Sequence, residues 1–189
     1  MNYIEWKKAY FDDTTESSKQ LERAFNALEQ NVAVYPISAD PPTWGHADIM
    51  MRAANKFSTL YWVVAENPKK ESAFTMEDKL EMLKIYVAHY KLDNVVILPV
   101  SGSVAQFAKK VGAKFLVRGL RSSSDFQMEF ELSVGNRGIN KNLETVCMFT
   151  KPHYAVISSS IVRELSTLNE KISQYVHKDV EKIIKEKVK

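Results

Sequence analysis

One cysteine in 189 residues excludes an intrachain disulfide. That residue, Cys147, sits in the apolar run Val146-Cys147-Met148-Phe149 and is expected to be a buried structural thiol. No apolar run is long enough to span a bilayer. Met1 to Gln30 carries acidic residues throughout and no apolar core segment, so it does not read as a signal peptide. An excess of one charge is missing too. The net charge is +3, with Lys and Arg interleaved among Asp and Glu, so there is no electrostatic case for nucleic-acid binding. These absences together predict a cytoplasmic protein with no membrane and no nucleic-acid partner. Two nucleotide motifs are also lacking. Without G-x-G-x-x-G after the first strand a dinucleotide-dependent dehydrogenase is disfavoured, and without G-x-x-x-x-G-K-[ST] so is a P-loop kinase. There is no internal repeat and no low-complexity segment.

What is present fits an ordinary globular domain: 45% hydrophobic and 26% charged residues, with length for one core plus a small appendage. Five apolar runs suit buried strands: Val32–Tyr35, Leu60–Ala65, Val95–Pro99, Phe115–Val117 and Val146–Phe149. Helical spacing lies between them. Ile49, Met50, Ala53, Ala54 and Phe57 share a face, and Thr75-Met76-Glu77-Asp78 resembles a capping box. Ser103 to Val111 ends at Gly112, and Phe126, Phe130 and Val134 repeat every fourth residue. Helices at Ser159 to Leu168 and around Val180, Ile183, Ile184 and Val188 close the chain. Alternating strands and helices predict an α/β fold: a Rossmann-like open five-stranded parallel sheet with helices on both faces. Residues 1–30 form a separate unit, a helical extension, since Leu21, Phe25 and Leu28 share a face and Ile4, Trp6, Tyr10 and Phe11 add bulk. Residues 31–189 make up the main domain.

In such a sheet, ligands bind beyond the carboxyl ends of the strands. Ser38, Asp40 and His46 follow the first strand, and Asn67, Pro68, Lys69 and Lys70 the second. Ser101, Gly102 and Ser103 follow the third, and Arg118, Gly119, Arg121 and Asp125 the fourth. Lys151, His153, Tyr154 and Ser158-Ser159-Ser160 follow the fifth. Nearly every cation and hydroxyl able to bind phosphate therefore falls on one sheet edge. Ser38-x-Asp40-Pro41 with Thr43-x-Gly45-His46, between a strand and a helix, suits nucleotide phosphate, because a helix N-terminus offers free N–H groups and partial positive charge. Bland readings stand beside these: Lys69-Lys70 as a solvated loop, Arg121–Asp125 as a structural ion pair, the serine run as a helix cap. Gly119 would let the backbone turn closely around a ligand.

From Val32 to the C-terminal helix the chain resembles bacterial phosphopantetheine adenylyltransferases, of the nucleotidyltransferase α/β superfamily. The resemblance is carried by Tyr35-Pro36 with Ser38, Asp40-Pro41 and Thr43-x-Gly45-His46, and by Asn67-Pro68-Lys69-Lys70. It continues in Arg118-Gly119-Leu120-Arg121 with Ser124-Asp125-Phe126, Glu129 and Asn136-Arg137, and in Ile157-Ser158-Ser159-Ser160 with Val162-Arg163-Glu164. It implies adenylyl transfer from ATP to 4′-phosphopantetheine, giving dephospho-coenzyme A and pyrophosphate by direct in-line attack with Mg²⁺ on the phosphates. By the same resemblance His46 stabilises the transition state, Ser38 contacts both substrates, and Lys70 and Arg118 hold the attacking phosphate. Ala39, Gly119, Leu120, Arg121, Glu129 and the stretch Tyr154, Ala155, Val156, Ile157, Ser158, Ser159 and Ser160 surround ATP. Val104 lies along the pantetheine arm, no metal ligand comes from the protein, and the assembly is a homo-oligomer, a hexamer.

The chain departs from the family at Ile37 and Ala39, where Gly-Ser/Thr-Phe is usual around Ser38. It departs again at Ser101-Gly102-Ser103 and at Met128, where an aromatic is common. A β-branched residue disfavours positive φ, so a family backbone that needs glycine at position 37 would have to shift. Two other readings remain. One is a related nucleotidyltransferase with another acceptor, although cytidylyltransferases and nicotinamide-mononucleotide adenylyltransferases usually carry His-x-Gly-His where this chain has Thr43-x-Gly45-His46. The other is a catalytically weak paralogue that binds a nucleotide or coenzyme A.

Overall fold

A computed structural model describes residues 31–66 and 71–188. The expected extension, residues 1–30, and the lysine loop with Lys70 lie outside the described residues. Five strands form one sheet: β1 (Val32–Ile37), β2 (Thr59–Ala65), β3 (Val95–Val100), β4 (Phe115–Leu120) and β5 (Glu144–Phe149). Their order is β3-β2-β1-β4-β5, and every pairing is parallel. The central strand β1 is buried on both faces, as its unbroken apolar run requires.

The helices are α1 (Trp44–Ala54), α2 (Met76–Tyr90), α3 (Val104–Lys110), α4 (Ser123–Ile139), α5 (Pro152–Ala155), α6 (Ser159–Thr167) and α7 (Lys178–Lys187). The capping box at α2 is made: Thr75 Oγ1 accepts from the Asp78 N–H at 3.2 Å, and Asp78 accepts from the Thr75 N–H at 3.1 Å. Ser103 caps α3, and Gly112, at φ +70°, ends that turn. One core packs α1, α2 and the C-terminal helices on one sheet face around Trp62, Met82, Tyr86 and Ile184. A smaller core lies on the other face, around Val63, Val100, Ala105 and Leu116.

The fold departs from the sequence expectations in three places. β4 does not stop at Val117; it runs through Arg118 and Gly119 because these pair with Cys147 and Met148 of β5. The apolar repeat of α4 faces outward: Phe126, Phe130 and Val134 are each more than half exposed, and the one buried residue of that helix is Glu129. Cys147 is exposed rather than buried, since it sits on the outermost strand of the sheet.

Candidate active site

The strand order reverses between β1 and β4, because chain connections leave β1 first towards β2 and β3 and later towards β4 and β5. A crevice opens at such a switch point, beyond the carboxyl ends of the two strands. Here it is a cavity of about 380 Å³ lined from β1 by Ile37 and by Ser38 just beyond it, from α1 by Gly45 and His46, from β4 by Arg118 and Gly119, and by Arg121 beyond that strand. Glu129 of α4, Tyr154 of α5 and Ile157 to Ser160 add to the wall.

His46 is the third residue of α1 and serves the helix as well as the cavity. Its Nδ1 accepts from the Thr43 N–H at 3.1 Å and lies 2.9 Å from Thr43 Oγ1, the reciprocal half of a capping box. Because Nδ1 accepts from an N–H, the neutral ring carries its proton on Nε2. Burial, with Arg121 nearby, holds the imidazolium pKa down at about 4. At neutral pH the ring is therefore a neutral donor of fixed tautomer on the cavity wall.

Arg118 is held as a fork. Its Nε donates to Glu129 Oε2 at 2.6 Å, one terminal nitrogen donates to Glu129 Oε1, and the other donates to the Pro36 carbonyl at 3.3 Å. Both Glu129 oxygens are thus engaged by Arg118, and Glu129 is 5% exposed. Two guanidinium N–H groups remain for a ligand, out of five. Arg121 lines the same cavity while paired with Asp125 through Nε at 3.2 Å, so the ion-pair reading and a phosphate-facing position coexist. At the far wall, Ser158 Oγ caps α6 by accepting from the Ile161 N–H at 3.2 Å. The N–H groups of Ser159 and Ser160, in the first turn, have no intrahelical acceptor. Both residues line the cavity at a helix N-terminus, where anions are favoured.

Of the expected site residues, the cavity unites Ser38, His46, Arg118, Gly119, Arg121, Glu129, Tyr154, Ile157, Ser158, Ser159 and Ser160. Ala39 and Leu120 are buried off its wall, Val156 is largely exposed, and Ala155 also lies off the wall. Val104, partly buried, packs against the smaller core. Positive φ, expected to be a difficulty at Ile37, falls instead at Ala39 (φ 52°), while Ile37 ends β1 in extended backbone. Gly119 lies within β4 rather than in a turn, and a Cβ there would make a tight contact, 3.3 Å, with Ile49 Cγ1 of α1. Sequence reasoning missed Thr43 as the residue that orients His46. It also missed Tyr35, Ile49 and Thr150 on the wall; Thr150, directly after the fifth strand, could have been found from its position.

A second cavity, about 540 Å³, adjoins the first and shares Ser38, Ser159 and Ser160 with it. It reaches past the ends of β2 and β3 to Ser101 and Gly102 and is bounded by Asp40, Phe74, Lys79 and Arg163. Asp40 is its organising group. The carboxylate accepts from Ser72 Oγ at 2.7 Å and the Ala73 N–H at 3.1 Å, and pairs with Arg163 at 3.2 Å and Lys79 at 3.8 Å. Among the described residues no three carboxylate, imidazole or thiol groups cluster as metal ligands.

Residues 34–165 match the cytidylyltransferase-like family, so the chain belongs to that family of nucleotidyltransferases. Solved structures with the same fold include a Vibrio parahaemolyticus chain assigned as a nicotinate-nucleotide adenylyltransferase (TM-score 0.62, 14% identity, 84% of this chain and 97% of that one). A Plasmodium falciparum nicotinic acid mononucleotide adenylyltransferase complexed with NaAD is also similar (TM-score 0.60, 16% identity, 82% of this chain and 94% of that one). At these identities the likeness concerns the fold.

Proposed function

We propose that the protein transfers the adenylyl group of ATP to 4′-phosphopantetheine, releasing pyrophosphate and forming dephospho-coenzyme A. One observation carries the nucleotidyl-transfer part of this reading: a neutral Nε2–H donor, two guanidinium groups and a hydroxyl-lined helix N-terminus converge on one crevice at the switch point. The acceptor is supported by the family-like blocks of sequence and by the adjoining cavity, which gives a long, narrow arm somewhere to lie.

The reaction is an in-line displacement. An oxygen of the acceptor phosphate forms a bond to the α-phosphorus of ATP, and the bond from that phosphorus to the bridging oxygen of the β-phosphate breaks. The electron pair leaves with pyrophosphate. His46 donates from Nε2 to the α-phosphate oxygens as charge spreads over them. Arg121 and the first turn of α6 hold the outer phosphates. Arg118, aimed by Glu129, holds the acceptor phosphate, with Lys70 as its expected partner. Ser38 sits where the two cavities meet and orients both substrates. A Mg²⁺ ion would be carried by the nucleotide phosphates rather than by protein carboxylates, with the cavity's cations and hydroxyls left for phosphate oxygens, and it would supply neutralisation of phosphate charge. A homo-oligomer remains part of the reading through the family resemblance.

The similar folds support a second reading, the same transfer with nicotinate mononucleotide as acceptor. Pyrophosphate release from Mg²⁺-ATP, assayed with 4′-phosphopantetheine and with nicotinate mononucleotide separately, decides between them. Release with the first alone supports the proposal. Release with the second alone overturns its acceptor, and release with neither, from protein that binds ATP, favours a binding role.

A further inference from the structure

We infer that Asp48 is a positioning residue that seats the nucleotide-covering segment after β5 against the first turns of α1. The inference rests on the nucleotide reading of the crevice. Asp48 lies two residues beyond His46 in α1, with its side chain 2% exposed. A buried carboxylate is tolerated only when its charge is matched, and two cations match this one. Arg52 Nε, one turn along the same helix, donates at 2.9 Å, and Lys151 Nζ, from the exit of β5, approaches to 2.7 Å.

Arg52 also donates from a terminal nitrogen to the Phe149 carbonyl at 2.8 Å. Both cations held by Asp48 therefore grip one short stretch, Phe149 to Lys151. Lys151 is the N-cap residue of α5, and its neighbours Thr150 and Tyr154 line the nucleotide cavity whereas Lys151 does not. Tyr154 in turn lies over Gly45, where an added Cβ would sit 3.6 Å from Tyr154 Cβ. A carboxylate serving only the helix would need no more than its partner at i+4, which can form on an exposed face. Burial beneath Lys151 extends the contact to a different part of the chain. The helix that presents His46 and the segment that carries Tyr154 and the serine run are thereby held in one register.

A competing role for Lys151, direct binding of phosphate with Asp48 as a mere counter-charge, predicts the opposite sign. Removing the counter-charge would then tighten ATP, whereas removing a positioning group weakens it. The test uses the full chain with Mg²⁺-ATP titrated calorimetrically, alongside amide hydrogen exchange of residues 149–157 without nucleotide. Asp48→Asn and Lys151→Ala should each weaken ATP about tenfold, and Lys151→Arg, which can still reach the carboxylate, should stay within about twofold. Exchange over 149–157 should quicken in the first two variants while β1 and β2 keep their protection. Unchanged affinity and exchange in folded Asp48→Asn would overturn the inference, and so would tighter binding. Should Asp48→Asn fail to fold, exchange over 149–157 without nucleotide decides in Lys151→Ala, where Asp48 keeps Arg52: quicker exchange supports positioning, and unchanged exchange with weaker ATP overturns it. If the unaltered protein binds no ATP, the nucleotide reading falls, and the exchange measurement still decides whether Asp48 holds the segment.

Discussion

Replacing Ile37 by glycine, the residue usual in the resembling family, should destabilise the protein and gain nothing in activity. Ile37 is the last residue of β1, 8% exposed, in extended backbone with no positive φ to relieve. Truncating a buried isoleucine to alanine costs about 2–5 kcal/mol, depending on how well the site refills. This side chain borders an existing cavity of about 380 Å³, so the deletion enlarges open space instead of sealing a void, and the lower half of that range applies. Glycine in a strand adds about 0.5–1 kcal/mol through its extra freedom when unfolded. The sum is about 2.5–4.5 kcal/mol, equivalent to a fall in Tm of roughly 5–18 °C for a chain of this size. Urea unfolding at constant m-value measures it, with activity compared at a temperature where both proteins are folded. Equal or greater stability, or a clear rise in turnover, would refute the reasoning by showing that the backbone at 37 is strained.

Arg118→Ala leaves Glu129 buried without the guanidinium that engages both its oxygens, a loss of about 3–5 kcal/mol. Adding Glu129→Gln should restore at least about 1 kcal/mol by removing the stranded charge, and equal stability of the single and double variants would contradict the fork. Ser158→Ala should cost about 1 kcal/mol through the lost cap of α6 and weaken ATP, and a loss of stability without a loss of affinity would remove α6 from the nucleotide site. The pH dependence of stability follows from His46. Its pKa is about 4 when folded and near 6.5 when unfolded, so as pH falls from about 7 towards 4 the unfolded chain takes up the proton first and stability declines. His177, also lowered by burial, acts in the same direction. Urea midpoints at pH 7, 6 and 5 should therefore decline less steeply in His46→Gln than in the unaltered protein, and parallel slopes would refute the assignment.

The sheet was legible because buried parallel strands read as unbroken apolar runs, and Val32 to Val34 and Leu60 to Ala65 are such runs. The edge of the sheet that carries the site was legible for a similar reason, since the phosphate-binding residue types cluster after strand ends. Orientation was less legible. Periodicity showed that Phe126, Phe130 and Val134 share a face, but not that the buried member of α4 would be Glu129, paired with Arg118 of β4. Cys147 read as core because its neighbours are apolar, yet being core depends on strand order, which a local run does not contain. The Asp48–Arg52 pair has an i,i+4 spacing within α1, but Lys151 joins it only once the chain leaving β5 reaches α1, which no local pattern contains. At Ile37 and Ala39 the residue types marked an unusual turn, while only backbone geometry shows which of the two adopts positive φ.

The central claim is that His46 acts on the transition state rather than on bound ATP. Turnover and ATP affinity of His46→Ala, measured on the same preparation with the acceptor that supports pyrophosphate release, test it directly. A fall in kcat of about 10²-fold or more with the ATP Kd unchanged within about threefold is the result expected of a donor used only as charge develops. Equal losses in both would make His46 a ground-state ligand, and an unchanged kcat would contradict the account.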